Sequence, residues 1–469
     1  MVSVRVLVEI EEQRQESFQA FAAAIASTSA AVTESEALLE PLAGLGLQLD
    51  DEVVPIPLLT GRGAPERSVR EALTAFSSAE ASPDLPASSM VVAAEVDEDR
   101  LDALRSRGGV TVWPNSEIVL LEADPLGLRR SGVDPVEEDV IDLARSRAGV
   151  DCRPFRAGVE LAAIRRLLGV EGVWRDGWRG QNVTVGILDD GIEGSVYPVC
   201  GGFSRAGAQE PGTAAVSSHG SMCAADVLVA APWARLYDYP FLGVPRSGGA
   251  LAMFQAVLDQ RRLDGTPQVT NNSWGFTGVP PKAQAPNHEV HDRNHPLHRK
   301  VREVVTSGAA TFFAAGNCGQ QCPSGNCHAS GIGPARSIHA ANSLEEVITI
   351  AAVNSRHERI GYSSQGPGMF ATQKPDLAAY SHFFGNYGPG RPAGTDHQPF
   401  DNGTSAAAPV AAGVGALLLS AFPDLDPAQL RDALIAGATR VDAAPWGPDY
   451  GHGIVNAAAS YTHLRHLPA

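Results

Sequence analysis

The chain is poor in the features that would tie it to a cross-linked scaffold, a nucleic acid or a membrane. Cysteine is scarce, six in 469 residues, far from the density of small secreted domains that rely on disulfides in place of a core. Positive charge is in deficit, 36 Lys and Arg against 53 Asp and Glu for a net of −17, so a phosphate-tracking surface and a nucleic-acid partner are not expected. No uncharged apolar run is expected to reach the roughly 18 residues of a membrane span. The start, MVSVRVLVEIEEQRQES, lacks the basic and then apolar regions of a secretory signal and is acidic by Glu9. These absences lead us to expect a soluble, cytoplasmic protein, with export only by a non-standard route. The hydrophobic fraction of 44% and charged fraction of 19% are ordinary for a globular protein. At 469 residues the chain has room for two or three domains of roughly 100–200 residues.

Periodicity divides the chain. Val2–Ile10 alternates apolar and polar residues as a strand does, and Glu11–Ile25 can follow as a helix. Met90–Glu95 reads as a strand, Asp97–Arg107 as a charged amphipathic helix stopped by Gly108 and Gly109, and Val110–Leu121 as another strand. With one strand hidden in the Ala-, Ser-, Pro- and Gly-rich stretch 28–90, these elements predict a small α+β domain of ferredoxin-like shape over residues 1–123. Residues 124–156 are charged and contain proline, and read as a linker. Over 157–469 the texture becomes an alternation. Short apolar runs at Val183–Leu188, Ala234–Tyr239, Val269–Ser273, Ala310–Ala315 and Val347–Val353 are separated by helical stretches at Ser218–Ala230, Gly249–Arg262 and His298–Ser307, with a last one at Thr404–Phe422. This pattern predicts an α/β domain with a mostly parallel sheet covered by helices on both faces. In such sheets the chemistry gathers at the carboxyl ends of the strands.

Three of those places hold the parts of an activated nucleophile. Asp189 ends the run Val183–Leu188, His219 sits in Ser218-His219-Gly220-Ser221 at a helix start, and Ser405 lies in NGTSAAAP at the head of an Ala-rich helix. A serine hydroxyl is a weak nucleophile until a histidine takes its proton, and the histidine needs a carboxylate to orient and stabilise it. Each piece alone reads equally as a turn, a cap or a surface residue. Their order and their strand and helix contexts raise them together.

ILDDGI around Asp189, HGSMCA around His219, TFFAAGNCG around Asn317 and NGTSAAAP around Ser405 resemble the motifs of the subtilisin-like serine proteases, the subtilases. Further matches in the same order are VTNNSWG at Val269–Gly275, KPDLAA at Lys374–Ala379 and the late GHGIVNAAAS. The resemblance implies a serine endopeptidase working through an acyl-enzyme. Ser405 would attack the scissile carbonyl, His219 would carry the proton and Asp189 would hold the imidazole. Asn317, with the backbone amide of Ser405, would stabilise the oxyanion. It also implies that Ser273, Trp274 and Gly275 form an edge strand pairing with the substrate backbone, and that Ser247, Gly248 and Gly249 form the strand on its other side. A protein or peptide substrate follows, bound by strand addition. Residues 90–121 are similar to the second half of the family's inhibitory propeptide, which implies a zymogen whose N-terminal domain is an intramolecular inhibitor and folding chaperone, cut between about Leu121 and Arg156. A permanent accessory domain is the alternative.

Departures from the pattern carry their own expectations. Asp190 stands where the family usually has Ser or Thr, and is expected to be structural or at the surface. The calcium-binding loop that many relatives insert after the catalytic His is missing from the sequence, so no metal and no cofactor are expected. Cys223 lies one helical turn after His219 and reads as a small buried hydrophobe. Cys318, Cys322, Cys327 and His328 crowd one loop beside Asn317, open to a disulfide, free thiols or zinc. The histidines from His288 to His298 lack metal-helix spacing and are broken by Pro296, so they read as a polar loop entering a helix. Trp274 suggests an apolar or small residue before the cut. The same site could pass its acyl group to an amine, as a transpeptidase or cyclase, or could be a silent peptide-binding module.

Overall fold

The computed structural model describes residues 3–11, 47–50, 55–59, 61, 89–121, 150–152, 158–203, 209–241, 245–392, 400–441 and 443–466. Glu11 is strand rather than helix, and the rest of the helix expected at Glu11–Ile25 lies outside them, as does nearly all of the linker 124–156. The chain forms two compact units, one of residues 1–117, 244–264 and 285–307, the other of 118–243, 265–284 and 308–469.

The first unit is built on an antiparallel sheet. Its strands are β1 (Ser3–Glu11), β2 (Gln48–Leu49), β3 (Ile56–Leu58), β4 (Ser89–Asp97) and β5 (Val110–Pro114). They run in the order β2-β4-β1-β5, with β3 also on β4. Among the described residues, the middle of this sequence contributes two short strands, β2 and β3. Alternation sorts the side chains to two faces. Val6, Val8, Ile10, Val92, Ala94 and Val112 pack on Leu104 of the short helix α1 (Leu101–Arg105). Leu7, Val91, Ala93 and Trp113 face the other way, onto Leu251 and Ala252. Those two belong to α5 (Ser247–Asp264), and α6 (Pro296–Thr306) completes this layer.

The layer carries an unusual load of buried charge. Glu9, on the α5 face of β1, pairs with Arg299 of α6 and accepts from Ser89 Oγ at 2.6 Å and Trp113 Nε1 at 2.9 Å. Lys300 Nζ reaches Glu303 at 2.6 Å and the Pro57 carbonyl at 2.7 Å. The expected strand Val110–Leu121 breaks after Pro114 because the chain there turns to other partners. Asn115 Oδ1 accepts the Gly248 amide at 2.9 Å, and the Ser116 hydroxyl donates to Glu289 at 2.8 Å. His295 caps α6 and its Nε2 lies 3.1 Å from the Pro114 carbonyl, consistent with a polar loop entering a helix.

The second unit holds the parallel sheet. Its strands include β7 (Val150–Asp151), β9 (Thr184–Asp189), β10 (Val199–Gly202), β11 (Arg235–Pro240), β12 (Val269–Asn272), β14 (Ala310–Ala314), β15 (Ile348–Val353), β16 (Arg359–Ile360) and β17 (Leu377–Tyr380), while the small pairings of this unit use β6 (Val119–Leu120), β8 (Val159–Glu160), β13 (Trp274–Gly275) and β18 (Phe383–Phe384). The large sheet runs β10-β11-β9-β12-β14-β15-β16-β7 with β17 beside β15, and only the β15–β16 pairing is antiparallel. Helices α2 (Leu161–Leu168), α3 (Val170–Arg175), α4 (His219–Ala230), α7 (Thr404–Ala421), α8 (Pro427–Ala436) and α9 (Ala457–Arg465) belong to this unit. The sequence expectation about apolar runs needs one correction. Thr404–Ala421 is 18 residues long and apolar enough to cross a membrane, but 89% of it is buried in the core. Its small residues let it pack against both α4 and the sheet.

Candidate active site

The fold pairs Asp189 with His219 and turns Ser405 and Asn317 onto one carbonyl, while no hydrogen bond joins His219 to Ser405 among the described residues. Asp189 is the last residue of β9, His219 the first of α4, and Ser405 the second of α7. Asp189 Oδ1 lies 2.7 Å from His219 Nδ1, with both side chains sealed from solvent. Burial opposes a charged imidazole, but the Asp189 carboxylate overrides it and holds His219 well above its ordinary pKa. Asp190 is structural, as expected, and specific in what it does. Its two carboxylate oxygens accept the His219 amide at 3.2 Å and the Gly220 amide at 2.7 Å, fixing the first turn of α4. Burial, with help from Asp189, raises its carboxyl to about 6.

The head of α7 is shaped by two residues that cannot be exchanged freely. Gly403 has φ of +82°, and a Cβ there would fall 2.5 Å from the Leu121 carbonyl oxygen and 2.6 Å from Ser405 Oγ. Glycine therefore keeps open the space in which a carbonyl meets the nucleophile. Pro409 has no N–H to give the Ser405 carbonyl four residues earlier. That carbonyl instead accepts Ser273 Oγ at 3.0 Å and the Cys223 thiol at 3.5 Å. The break in the helical ladder is what lets neighbouring elements grip the nucleophile's backbone.

Cys223 is buried as expected, with Sγ 3.6 Å from Asp189 Oδ2 and 4.0 Å from His219 Nδ1. Burial pushes its thiol up to about 12. Asp189, His219 and Cys223 bring ligand atoms within 4.8 Å of one another, and the Asp189 and His219 side chains are already paired with each other.

Leu121, where the expected cleavage window begins, enters the site through its backbone. Its carbonyl oxygen accepts Ser405 Oγ at 2.7 Å and also the Asn317 side-chain amide. Its own amide donates to the Ser273 carbonyl at 3.0 Å, and β6 just before it pairs antiparallel with β13, Leu120 opposite Trp274 and Val119 opposite Gly275. Asn317 is aimed by its other end, Oδ1 accepting the Thr404 amide and hydroxyl, each at 2.9 Å. His219 Nε2 is buried and makes no hydrogen bond among the described residues. The second contact of Ser405 Oγ is the Asn402 carbonyl at 3.2 Å. The Leu121 carbonyl is thus held between a serine hydroxyl and a side-chain amide.

The other expected residues fall as follows. Ser273 contributes backbone to Leu121 and side chain to Ser405. Trp274 and Gly275 contribute backbone to β6, but the Trp274 ring is fully buried, edge-on to Phe241 and Phe313. Ser247, Gly248 and Gly249 are not a strand. They open α5 in the first unit, where Ser247 Oγ donates to Glu289 at 2.6 Å. Polar partners for the first amides of the helix favour that turn over an extended edge. The residue just before them, Arg246, makes the antiparallel bridge, to Glu117. The crowded cysteine loop is closed by Cys318–Cys327, and Cys322 pairs with Cys152.

Comparison with known proteins agrees with this geometry. The family model of the subtilases, peptidase S8, matches residues 180–453. Subtilisin DY of Bacillus licheniformis is 30% identical over 307 residues, covering 63% of this chain and 96% of its own. Serine protease AprX of Bacillus subtilis is 25% identical, covering 60% of this chain, which spans 66% of that protein. Among solved structures, fervidolysin from Fervidobacterium pennivorans, a keratinolytic enzyme related to subtilisin, has the same fold with a TM-score of 0.59 at 17% identity, over 98% of this chain and 61% of its own.

Proposed function

This chain belongs to the subtilase family of serine endopeptidases, and on that premise we propose that it is made as a zymogen that cuts itself after Leu121. The N-terminal domain would then be the enzyme's first substrate and, afterwards, its inhibitor. The observation that carries the reading is the convergence of Ser405 Oγ and the Asn317 amide on the Leu121 carbonyl oxygen, while the Leu121 amide is held by Ser273. In the reaction, Ser405 Oγ turns from that oxygen to give its proton to His219 Nε2 and bonds to the Leu121 carbonyl carbon. Asn317 stabilises the oxyanion and Asp189 the imidazolium. His219 then protonates the departing amine of Glu122, and water, deprotonated by His219, releases Leu121 from Ser405.

The same contacts support a substrate class. Leu121 is 2% exposed and Ile118 is 4% exposed, so peptides with an apolar residue at the cut and another three residues earlier fit the cleft. Two disulfides favour an oxidising working compartment over the cytoplasm that composition suggested. A peptidyl phosphonate with leucine next to phosphorus tests the reading. Labelling of Ser405 after the N-terminal domain has gone, and not before, is the expected result. Labelling that is equal before and after, or never seen, would refute it.

A further inference from the structure

Two more carboxylates are buried together between the helix that carries His219 and the loop that leads into Ser405. Asp226 lies seven residues, two helical turns, after His219 on α4, and so on the same face. Asp401 lies four residues before Ser405. Neither is exposed to solvent. The Asp401 carboxylate accepts the Asn386 amide at 2.6 Å and the Tyr387 amide at 2.7 Å, while its backbone is tied to Phe383 and His382. The Asp226 oxygens receive no N–H or O–H from the described residues. The neighbouring acid that, after burial, raises the Asp226 carboxyl is Asp401. Gly385 marks where they meet, since a Cβ on it would come 1.9 Å from Asp401 Oδ2 and 2.9 Å from Asp226 Oδ1.

A carboxylate offers no donor to another carboxylate, so this contact is a hydrogen bond only when one of the two is protonated. We propose that Asp226 and Asp401 share one proton, carried on Asp226, and that this acid–carboxylate bond is a positioning contact that locks the His219 helix to the loop leading into Ser405. The assignment of the proton follows from the partners. Asp401 has two backbone donors that favour its anion, and Asp226 has none. Burial raises both groups, Asp401 to about 7. The other titratable or charged groups facing the pair are Tyr197, Cys223 and Arg391. The Tyr197 phenol is itself raised by burial and by both carboxylates, and the Cys223 thiol is neutral. The Arg391 guanidinium, whose charge lowers Asp401, is bonded to the Gly385 carbonyl. These carboxyl pKa values lie above their unfolded values, so the contact holds at low and neutral pH and is lost as pH rises through the second ionisation of the pair. Two anions in a dry interior then push α4 and the Asp401 loop apart, and with them the base and the nucleophile.

The inference rests on the endopeptidase reading of Ser405 and His219, and two measurements separate them. The first is the infrared difference between the full chain and its Asp226→Asn variant, both carrying Ser405→Ala, at about pH 8. A protonated-carboxyl band that Asp226→Asn removes is expected, and its absence overturns the proposal whatever the enzyme's activity. The second is kcat and KM against pH for the processed enzyme. Wild type should lose about tenfold in kcat per pH unit above the second ionisation, with KM steady, while the ratio of alkaline to neutral kcat stays flat in Asp226→Asn. The same descending limb in both proteins overturns the positioning role. A wild type that no serine-directed phosphonate labels would refute the endopeptidase reading and the positioning role together, leaving the infrared band to decide the shared proton.

Discussion

Replacing Arg299 with methionine should destabilise the first unit by about 3 kcal/mol, toward the low end of the roughly 3–5 kcal/mol typical of breaking a buried ion pair. The argument starts from burial, since both side chains of the Glu9–Arg299 pair are 2% exposed. Methionine fills much of the volume of the arginine stem, so little cavity is added. What remains is the Glu9 carboxylate without its cation. The hydrogen bonds from Ser89 and Trp113 survive and keep the loss near 3 kcal/mol rather than 5. The assay is urea unfolding of the full chain on a Ser405→Ala background, so that self-cleavage does not intervene. The double variant Glu9→Gln/Arg299→Met should recover at least half the loss, because it removes the orphaned charge. A change below about 0.5 kcal/mol in the single variant would refute the reasoning, since that is the scale of an exposed pair.

Three further outcomes follow from the active site. Asn317→Ala should lower kcat by about 10²–10³ with KM nearly unchanged, measured on a leucyl peptide substrate, because the donor is needed where charge develops. The acid limb of kcat/KM should lie above the ordinary histidine range, activity being lost as pH falls through the raised His219 pKa and the base becomes protonated. Asp189→Asn should shift that limb toward lower pH while reducing turnover by up to about 10⁴. Cys318→Ser with Cys327→Ser should lower kcat by about tenfold, read by steady-state kinetics. That disulfide closes the loop directly behind Asn317, with the Ser324 amide 2.8 Å from the Asn317 carbonyl.

Much of the second unit was legible because strands buried on both faces read as plain apolar runs, and helices between them begin at recognisable caps. Ser218 before His219 is one of these caps, its hydroxyl accepting the Ser221 amide. Asp189, His219, Asn317 and Ser405 were legible through local motifs, each short enough that neighbouring residues fix the backbone. Contacts between distant segments were not. Leu121 gives no local sign that its carbonyl meets residues almost 200 and 300 positions later. Asp226 and Asp401 look like ordinary surface acids until α4 and the Asp401 loop are packed together. Ser247–Gly249 went wrong for the same reason. Small polar residues suit an edge strand and a helix start equally, and the choice was made by Asn115 and Glu289, far away in sequence. Thr404–Ala421 was underestimated as an apolar run because alanine and glycine dilute its leucines, although the whole segment is uncharged.

The most direct test of the account is the intact mass of the full chain beside Ser405→Ala during incubation at neutral pH in the absence of reductant. The account predicts that wild type alone yields two fragments, with a boundary between Leu121 and Glu122, while Ser405→Ala stays whole. A wild type that remains uncut, a boundary elsewhere, or equal cleavage of both proteins would contradict it.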